Sequence, residues 1–377
     1  MFTAVVNIAK SRICRHHNVE PNERGDKLSR FPVVLASLIL LTSAAGGFAQ
    51  DNCVPADSCR LSSVGLSEAE IAAYSGPSIE PLRPDNDILF DRAYQRVVGV
   101  VEIYDAPNGI RINTLDEGFN FVTTLGSQDG WTEINPGQWV RSEHLAGPPA
   151  ISRFAGVLLP GQPLTYPVAW TLINLYPSRS PGGRPSMSNP LLYRYTRVNL
   201  YAAVEVAGWL WYQVGPDQWV HQTHVAKYSP IERPADVDTD YWLGVDLYEQ
   251  TVVAYEGDTP VFTSLIAAGL AQWPTREGVY HIYFRRPRHT MNGGRAGYDF
   301  YYIEEVPWTM FFDEGRALHG AYWHDEFGYR HSHGCINLSL TDAYWLYHWV
   351  AEHMGSWASA DIEDGPAVFI YSSGEYR

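Results

Sequence analysis

The stretch His-Ser-His-Gly-Cys-Ile-Asn-Leu, residues 331–338, places two histidines and a cysteine within five positions. It also lies directly before the longest helix that the sequence predicts, so it anchors the fold of the C-terminal region. Three interpretations of the cluster are open: a metal site, a nucleophile with its base, or a chance grouping. A thiol binds metal or attacks carbon only as the thiolate, so its surroundings decide between them.

The N-terminal region has the pattern of an export signal. A basic stretch ending at Lys27 and Arg30 precedes the apolar run 33–41, and Gly47-Phe48-Ala49 offers the small residues that signal peptidase requires. We therefore predict that residues 1–49 are a signal peptide or an uncleaved signal anchor. The protein is expected in the periplasm, the cell envelope or outside the cell, with the N-terminal segment as a possible membrane anchor.

The positions of the cysteines single out Cys335. Cys14 lies in the predicted signal segment, and Cys53 and Cys59 are close enough in sequence to pair in an oxidising compartment. That leaves Cys335 without a partner. An unpaired cysteine in an exported protein is a liability unless it has a chemical role.

Composition predicts the fold class, and charge excludes one class of partner. The 377 residues include 13 Trp and 24 Tyr, which together with frequent Gly and Pro favours β-rich domains. Residues 1–49 hold 6 of the 27 basic and 3 of the 42 acidic side chains, so the remainder carries 21 basic and 39 acidic ones, a balance of −18. Such a surface repels phosphate backbones, and we expect no nucleic-acid partner.

The middle of the chain contains a duplication. Residues 131–146 align without gaps with residues 211–226, and seven of the sixteen positions are identical. Each copy follows an alternating apolar strand and resembles a bacterial Src-homology-3-like barrel, which implies small β-barrel repeats at 93–150 and 165–232. Two interpretations of their tryptophans are open. The rings could line a groove that binds glycan or peptide, or they could belong to the hydrophobic core of each barrel. Residues 50–92 are expected to form a flexible linker with a short helix at 66–74.

The C-terminal region, 238–373, is predicted to be a β-rich domain with one helix. Strands alternate with glycine turns from residue 241, and a glycine-rich loop is expected over 285–299. The helix, 339–354, begins with Ser339 as its cap and Asp342 reaching back to it. It follows the cluster at 331–338 directly.

The residue pattern at the cluster favours nucleophilic catalysis over zinc binding. His331, His333 and Cys335 would share one face of a regular strand, but Gly334 interrupts such a strand and the chain offers no CxxC or HxxxH partner. No metal or other cofactor is therefore expected. A thiol needs a base and oxyanion donors. His319 could supply the base from an upstream strand, and the N–H groups of Gly334 and Cys335 could hold an oxyanion.

Residues 241–371 resemble the catalytic domain of the YkuD-type L,D-transpeptidases, which crosslink bacterial peptidoglycan. The resemblance rests on His319, a spacer over 320–331, and the run Ser-His-Gly-Cys-Ile-Asn at 332–337. It implies a mainly β fold, with a YkuD-like β-sandwich or barrel and one helix beside the active-site turn. It also implies stem peptides of peptidoglycan as donor and acceptor.

The resemblance assigns the catalytic roles. Cys335 would attack a tetrapeptide stem at its third residue, form an acyl-enzyme and transfer the acyl group to a second stem, giving a 3–3 crosslink. His319 would be the general base and acid, oriented by the backbone carbonyl of Gly320. His333 and the Gly334 backbone would stabilise the tetrahedral intermediate. Hydrolysis of the same acyl-enzyme, as in an L,D-carboxypeptidase, and an inactive wall-binding module are the alternatives.

Other residues are expected to contact substrate. Ser332 and Asn337 would fix the turn and the substrate through hydrogen bonds, and Trp323 would border the donor groove. The loop 288–297 would form a lid together with the tyrosines that follow it, and among them Tyr302 is predicted to bind substrate. The residues predicted to form the site are Cys335, His319, His333, Gly320, Gly334, Ser332, Asn337, Trp323 and Tyr302.

Overall fold

Strands dominate the structure, as the aromatic and β-branched composition predicts. The computed structural model describes residues 64–77, 79–353 and 365–375. Its described helices are α1 (Glu68–Ala72), α2 (Asn86–Leu89) and α3 (Leu340–His353), and two 3₁₀ helices span Ser142–His144 and Gln222–His224. The strands before residue 230 are β1 (Glu80–Pro81), β2 (Tyr94–Val97), β3 (Val101–Tyr104), β4 (Arg111–Leu115), β5 (Phe119–Thr123), β6 (Gly126–Gln128), β7 (Trp131–Asn135), β8 (Gln138–Arg141), β9 (Val157–Leu158), β10 (Val168–Thr171), β11 (Arg197–Asn199), β12 (Ala202–Val206), β13 (Trp209–Gly215), β14 (Gln218–His221) and β15 (Val225–Lys227). Those after it are β16 (Tyr241–Asp246), β17 (Thr251–Glu256), β18 (Thr259–Leu265), β19 (Gly278–His281), β20 (Phe284–Gly293), β21 (Tyr301–Asp313), β22 (Arg316–Gly320), β23 (Ile336–Leu338) and β24 (Ala367–Tyr371).

The predicted signal segment, 1–49, lies outside the described residues, and so do Cys53 and Cys59. Export and the pairing of these cysteines therefore stay predictions. In the ranges that the structure describes, no helix combines the length and the apolar character needed to cross a membrane.

Two large sheets form a sandwich around the main core. One has the strand order β1-β9-β18-β17-β16-β24-β19, and the other has the order β2-β5-β21-β22-β23 with β20 also paired to β21. Helix α3 packs into the same core. Its buried members include Leu243, Phe262, Met310, Leu318, Ile336 and Leu346. The mainly β fold expected from the sequence is confirmed.

Strands β16 and β17 lie at the centre of the seven-stranded sheet and are covered on both faces. Leu243 and Val245 pack in the core that contains helix α3, whereas Trp242 stacks on Tyr255, with ring centroids 3.9 Å apart, in the layer around Trp170. Burial on both sides explains why their sequences are nearly continuous apolar runs rather than alternating ones.

A buried carboxylate fixes the start of helix α3. Asp342 is fully buried, and its Oδ2 accepts hydrogen bonds from the hydroxyls of Ser339 (2.8 Å) and Ser264 (2.6 Å). Its Oδ1 accepts the Gly156 N–H at 2.7 Å. Ser339 in turn accepts the Asp342 N–H, so the cap predicted from the sequence is present. These contacts tie the helix to strand β18 and to the segment around Gly156.

The duplicated segments share one local structure. Residues 131–141 and 209–221 each form an antiparallel hairpin with a register shift near its turn, and each hairpin runs into a 3₁₀ helix. The first tryptophan of the alignment is buried at Trp131 but only part-buried at Trp211, while Trp219 is buried and Trp139 is part-buried. A closed barrel for either repeat stays a prediction.

Strands of the first predicted repeat join the sheet that contains β21, β22 and β23. Strand β5 pairs in parallel with β21, and β2 continues the sheet beyond β5. The side chain of Glu304 on β21 is buried and accepts hydrogen bonds from Thr123 and Asn135. The region 93–150 is therefore continuous with the C-terminal sheet.

The described part of residues 50–92 corrects the expectation of a flexible linker. The short helix is present as α1, with a reciprocal cap between Ser67 and Glu70. Strand β1 pairs with β9. Leu89 on α2 is fully buried against Tyr322 and other aromatic residues. Leu89, together with the part-buried Leu82 and Ile79, ties this segment to the core.

The expected loop 285–299 is also corrected, because most of it is a strand. β20 pairs with β21 from Phe284↔Phe311 to Gly293↔Tyr301, with a register shift between His289 and Met291. The connection is therefore short, over residues 294–300. The predicted lid over 288–297 is one arm of a long hairpin, not a free loop.

Asp342 provides a test of this packing. Burial raises its pKa to about 6, so the stability it contributes is present below pH ~4 and is lost as pH rises through about 6. We expect Asp342→Asn to keep all three contacts, because the two serine hydroxyls can rotate to accept from its N–H₂. Asp342→Ala leaves buried donors unpaired and should cost about 2–4 kcal/mol.

The measurement is denaturant unfolding of both variants and the wild type at pH 4.5 and pH 7.5. The stability of Asp342→Asn relative to wild type should increase with pH. Equal destabilisation by Asn and Ala would contradict this interpretation.

Candidate active site

The parallel pair β22–β23 brings the predicted base and nucleophile together. Its register pairs Leu318 with Ile336, His319 with Asn337 and Gly320 with Leu338. Continued by one residue, the register places Cys335 beside Ala317, two positions from His319 on the same face. Parallel neighbours need a crossover of about a dozen residues or more, which the segment 321–335 provides. The spacer between His319 and Cys335 is thus a requirement of the topology.

Cys335 is part-buried at the start of β23. Burial raises the pKa of its thiol, while a backbone hydrogen bond from Ala317 and the charge of Arg316 lower it. Burial is the largest of these effects, so the resting group is the thiol. A base must therefore remove its proton before or during attack.

His319 is suited to that task. It is 2% exposed, and its Nδ1 lies 3.2 Å from the Gly320 carbonyl oxygen. Since a carbonyl can only accept, Nδ1 carries the proton and Nε2 keeps its lone pair. Burial lowers the pKa of the imidazole to about 4, so it is neutral at pH 7. The structure thus places Gly320 in the orienting position predicted for it.

The turn before Cys335 is fixed by two hydroxyl groups. Ser332 Oγ donates to the Cys335 carbonyl at 2.5 Å and accepts the Gly334 N–H at 3.1 Å. Thr275 Oγ1 donates to the Gly334 carbonyl at 2.9 Å and accepts the Gly269 N–H at 2.9 Å. Gly334 has φ +112°, a conformation that favours glycine.

These contacts correct one predicted role. The Gly334 N–H donates to Ser332, so it is not a free oxyanion donor in this state. An oxyanion role for it requires Ser332 to give way when substrate binds. Ser332 acts on the turn, as predicted for it.

His333 lies in the turn between two aromatic rings. The Trp273 ring stacks on it with centroids 3.9 Å apart, and the Tyr301 ring lies 5.1 Å away. Partial burial lowers the pKa of its imidazole. Its exposed position beside the nucleophile is compatible with contact to an incoming carbonyl.

Tyr301, not Tyr302, faces the site. Neighbouring residues of a strand point to opposite faces. Tyr301 approaches His333, and burial together with the nearby Cys335 raises the pKa of its phenol. Tyr302 packs on the apolar cluster of the first predicted repeat and donates to Glu304 at 3.1 Å. The structure therefore turns Tyr302, the predicted substrate-binding residue, away from the turn and places Tyr301 there; contact of either tyrosine with substrate stays a prediction.

Asn337 supports the site from behind rather than facing substrate. It is 2% exposed, and its carboxamide lies 2.9 Å from Nε2 of His324. His324 Nδ1 accepts the Glu326 N–H, so its neutral ring carries a proton on Nε2 that only the carboxamide oxygen can accept. Trp323 is part-buried, with its ring 5.6 Å from that of His319. It lies beside the base, and its predicted place along the donor groove stays a prediction.

The candidate zinc ligands do not converge. The His331 ring stacks on His324 at 4.1 Å, and its Nε2 lies 3.1 Å from a Glu326 carboxylate oxygen. His333 stacks instead on Trp273. Over residues 64–77, 79–353 and 365–375, no group of three or more His, Cys, Asp or Glu side chains could hold a metal ion.

Comparison with known proteins assigns this part of the chain. The family model for the YkuD L,D-transpeptidase catalytic domain matches residues 240–368. Residues 240–368 are a YkuD domain. The expected resemblance is confirmed there, whereas the two Src-homology-3-like repeats stay predictions. The protein "Putative L,D-transpeptidase YciB" of Bacillus subtilis (strain 168) is 28% identical over 153 residues, which are 34% of this chain and 70% of that protein.

Solved structures are similar to about a third of the chain. The catalytic domain of an E. faecium L,D-transpeptidase is 25% identical, with 35% of this chain and 97% of that chain covered and a TM-score of 0.29. An L,D-transpeptidase from Stackebrandtia nassauensis is 22% identical, with 36% and 57% covered and a TM-score of 0.26. This chain therefore spans a little over half of the Stackebrandtia nassauensis chain.

The protonation states predict how the thiol of the YkuD domain reacts. Because burial raises its pKa, we expect iodoacetamide to alkylate Cys335 more slowly at pH 7 than a free cysteine, with an inflection above the usual thiol range. Peptide-level mass spectrometry separates Cys335 from the other cysteines.

The control is the same cysteine in the urea-unfolded chain, which should titrate normally. A rate that is high and constant between pH 5 and pH 8 would instead indicate a preformed thiolate–imidazolium pair and contradict the assignment.

Proposed function

We propose that the chain is an exported L,D-transpeptidase that forms 3–3 crosslinks between tetrapeptide stems of peptidoglycan through a Cys335 acyl-enzyme. The observation that carries the proposal is the β22–β23 register, which sets Cys335 on the same face as His319. The Gly320 carbonyl leaves Nε2 of His319 free to accept the thiol proton. The YkuD domain supplies the substrate class.

In the acylation step, His319 Nε2 takes the thiol proton while Sγ attacks the carbonyl carbon of the third stem residue. A C–S bond forms, and the carbonyl oxygen becomes an oxyanion. When the intermediate collapses, the C–N bond to the terminal D-alanine breaks. The leaving amine takes its proton from the His319 imidazolium, which leaves a thioester on Cys335.

In the transfer step, the side-chain amine of a second stem attacks the thioester carbonyl and passes a proton to His319. The C–S bond breaks, and the proton returns to the thiolate. Water in place of the amine gives hydrolysis, the reaction of an L,D-carboxypeptidase. The two reactions differ only in the acceptor.

The protonation states favour proton transfer coupled to attack. A thiol with a raised pKa and an imidazole with a pKa of about 4 do not form an ion pair at rest. Charge appears only as the C–S bond forms, when donors near the turn can stabilise it. Such a site protects a lone cysteine from reaction until substrate excludes water.

The reaction can be tested with the full chain and a disaccharide-tetrapeptide, followed by mass spectrometry. We expect loss of D-alanine and a stem dimer, and neither product with Cys335→Ala or His319→Ala. Each loss should exceed about 10²-fold. The matched control is His281→Ala, because His281 lies on edge strand β19 of the other sheet and bonds to Asp238.

Loss of D-alanine without a dimer would assign the carboxypeptidase reaction. No product and no covalent adduct on Cys335 would overturn the enzymatic proposal and favour a wall-binding module.

A further inference from the structure

Arg316, the first residue of β22, lies beside the catalytic turn in an arrangement that the proposed mechanism does not use. Its Nη1 is 3.2 Å from Oδ2 of Asp313. The same carboxylate is shared with Arg276, whose Nε donates to it at 2.9 Å. The Arg316 side chain is 24% exposed, so water screens its charge only in part.

The Nε of Arg316 lies against the turn. Among the described residues this buried nitrogen has no hydrogen-bond acceptor. It lies only 2.8 Å from the position that a Cβ on Gly334 would occupy. A buried guanidinium donor without an acceptor is costly, so its retention calls for an explanation.

The strand register gives the same placement independently. Leu318 pairs with Ile336, so two residues earlier the register sets Arg316 beside Gly334. Alternation along β22 puts the Arg316 side chain on the face opposite His319, so its charge reaches Cys335 across the backbone of the turn.

Asp313 is shared between Arg316 and Arg276. Glu314 lies 3.1 Å from Arg276 and 3.9 Å from Arg316, so the two carboxylates balance the two guanidinium groups. Arg316 is the member of this cluster that lies against Gly334.

We propose that Arg316 is a positioning residue whose charge, held against the Gly334 turn, stabilises the Cys335 thiolate as it forms. The consequence for acyl transfer rests on the proposed function, whereas the effect on the thiol does not. The pKa of Cys335 is lowered by Arg316, which is the expected direction.

Other charged and titratable groups lie near the turn and can also influence the pKa of the thiol. On β22 and the turn they are His319, His331 and His333. From the hairpin they are Asp299 and Tyr301, and from the segments near β21 they are Arg276, Asp313 and Glu314. Among the arginines that the structure describes, Arg316 is the one adjacent to Gly334 in the strand register.

The experiment measures the pH dependence of Cys335 alkylation by iodoacetamide in the full chain, by peptide mass spectrometry. Arg316→Met should raise the inflection by about one pH unit and slow alkylation at pH 8 up to about tenfold. Arg316→Lys keeps the charge and should restore the inflection to within about 0.3 unit of the wild-type value. Arg276→Met, the matched variant on the same carboxylate, leaves Asp313 to Arg316 alone and should raise the inflection by less than Arg316→Met does.

Asp313→Asn gives a shift of the opposite sign. It keeps acceptor and donor atoms near both arginines but removes the charge that offsets Arg316, so the inflection should fall. This variant keeps the test decisive if Arg316→Met does not fold, as judged by circular dichroism.

Equal shifts for Arg316→Met and Arg316→Lys would indicate a packing role and overturn the proposal, as would no downward shift in Asp313→Asn. Alkylation needs no peptidoglycan, so a chain that shows these shifts but no transpeptidation would separate failure of the proposed function from failure of this inference.

Discussion

The parallel pairing of β22 with β23 is the constraint on which the site depends. Parallel neighbours cannot be joined by a tight turn, so the chain must leave the sheet after Gly320 and return at Ile336. The returning segment carries the glycine turn that precedes Cys335. A shift of one residue in this register would turn His319 and Cys335 to opposite faces. The core around Leu318 and Ile336 resists such a shift because both side chains are fully buried.

Burial sets the chemistry as well as the geometry. The same low exposure that fixes His319 also keeps it neutral, and it holds Cys335 as a thiol. The site therefore gains a base at the cost of a less acidic nucleophile. The backbone N–H of Ala317 and the charge of Arg316 lower the pKa of the Cys335 thiol and so partly offset the effect of burial. Neither group belongs to the recognisable motif.

The sequence was most informative where short-range chemistry decides the structure. The cap at Ser339, the Ser332 contact within the turn and the Gly320 contact to His319 each join residues that are close together in the chain.

Long-range pairing was harder to predict from the sequence. Tyr301 and Tyr302 differ only in which face of β21 they occupy. The β20–β21 hairpin contains a register shift, so the sequence alone does not show which of the two tyrosines faces the site. Thr275 and Arg316 reach the turn from distant segments, and Leu89 is buried by residues far along the chain. Glycines at 293 and 294 indicated a loop, yet pairing with β21 carries the strand up to Gly293.

The most direct test of this account is the side-chain ¹⁵N NMR spectrum of His319 in the full chain, assigned with His319→Gln. We expect a neutral imidazole with its proton on Nδ1, unchanged from pH 5.5 to pH 8, because burial holds its pKa at about 4 and Gly320 fixes the tautomer. An imidazolium at pH 7, or a proton on Nε2, would contradict the account, since His319 could not then accept the proton of the Cys335 thiol.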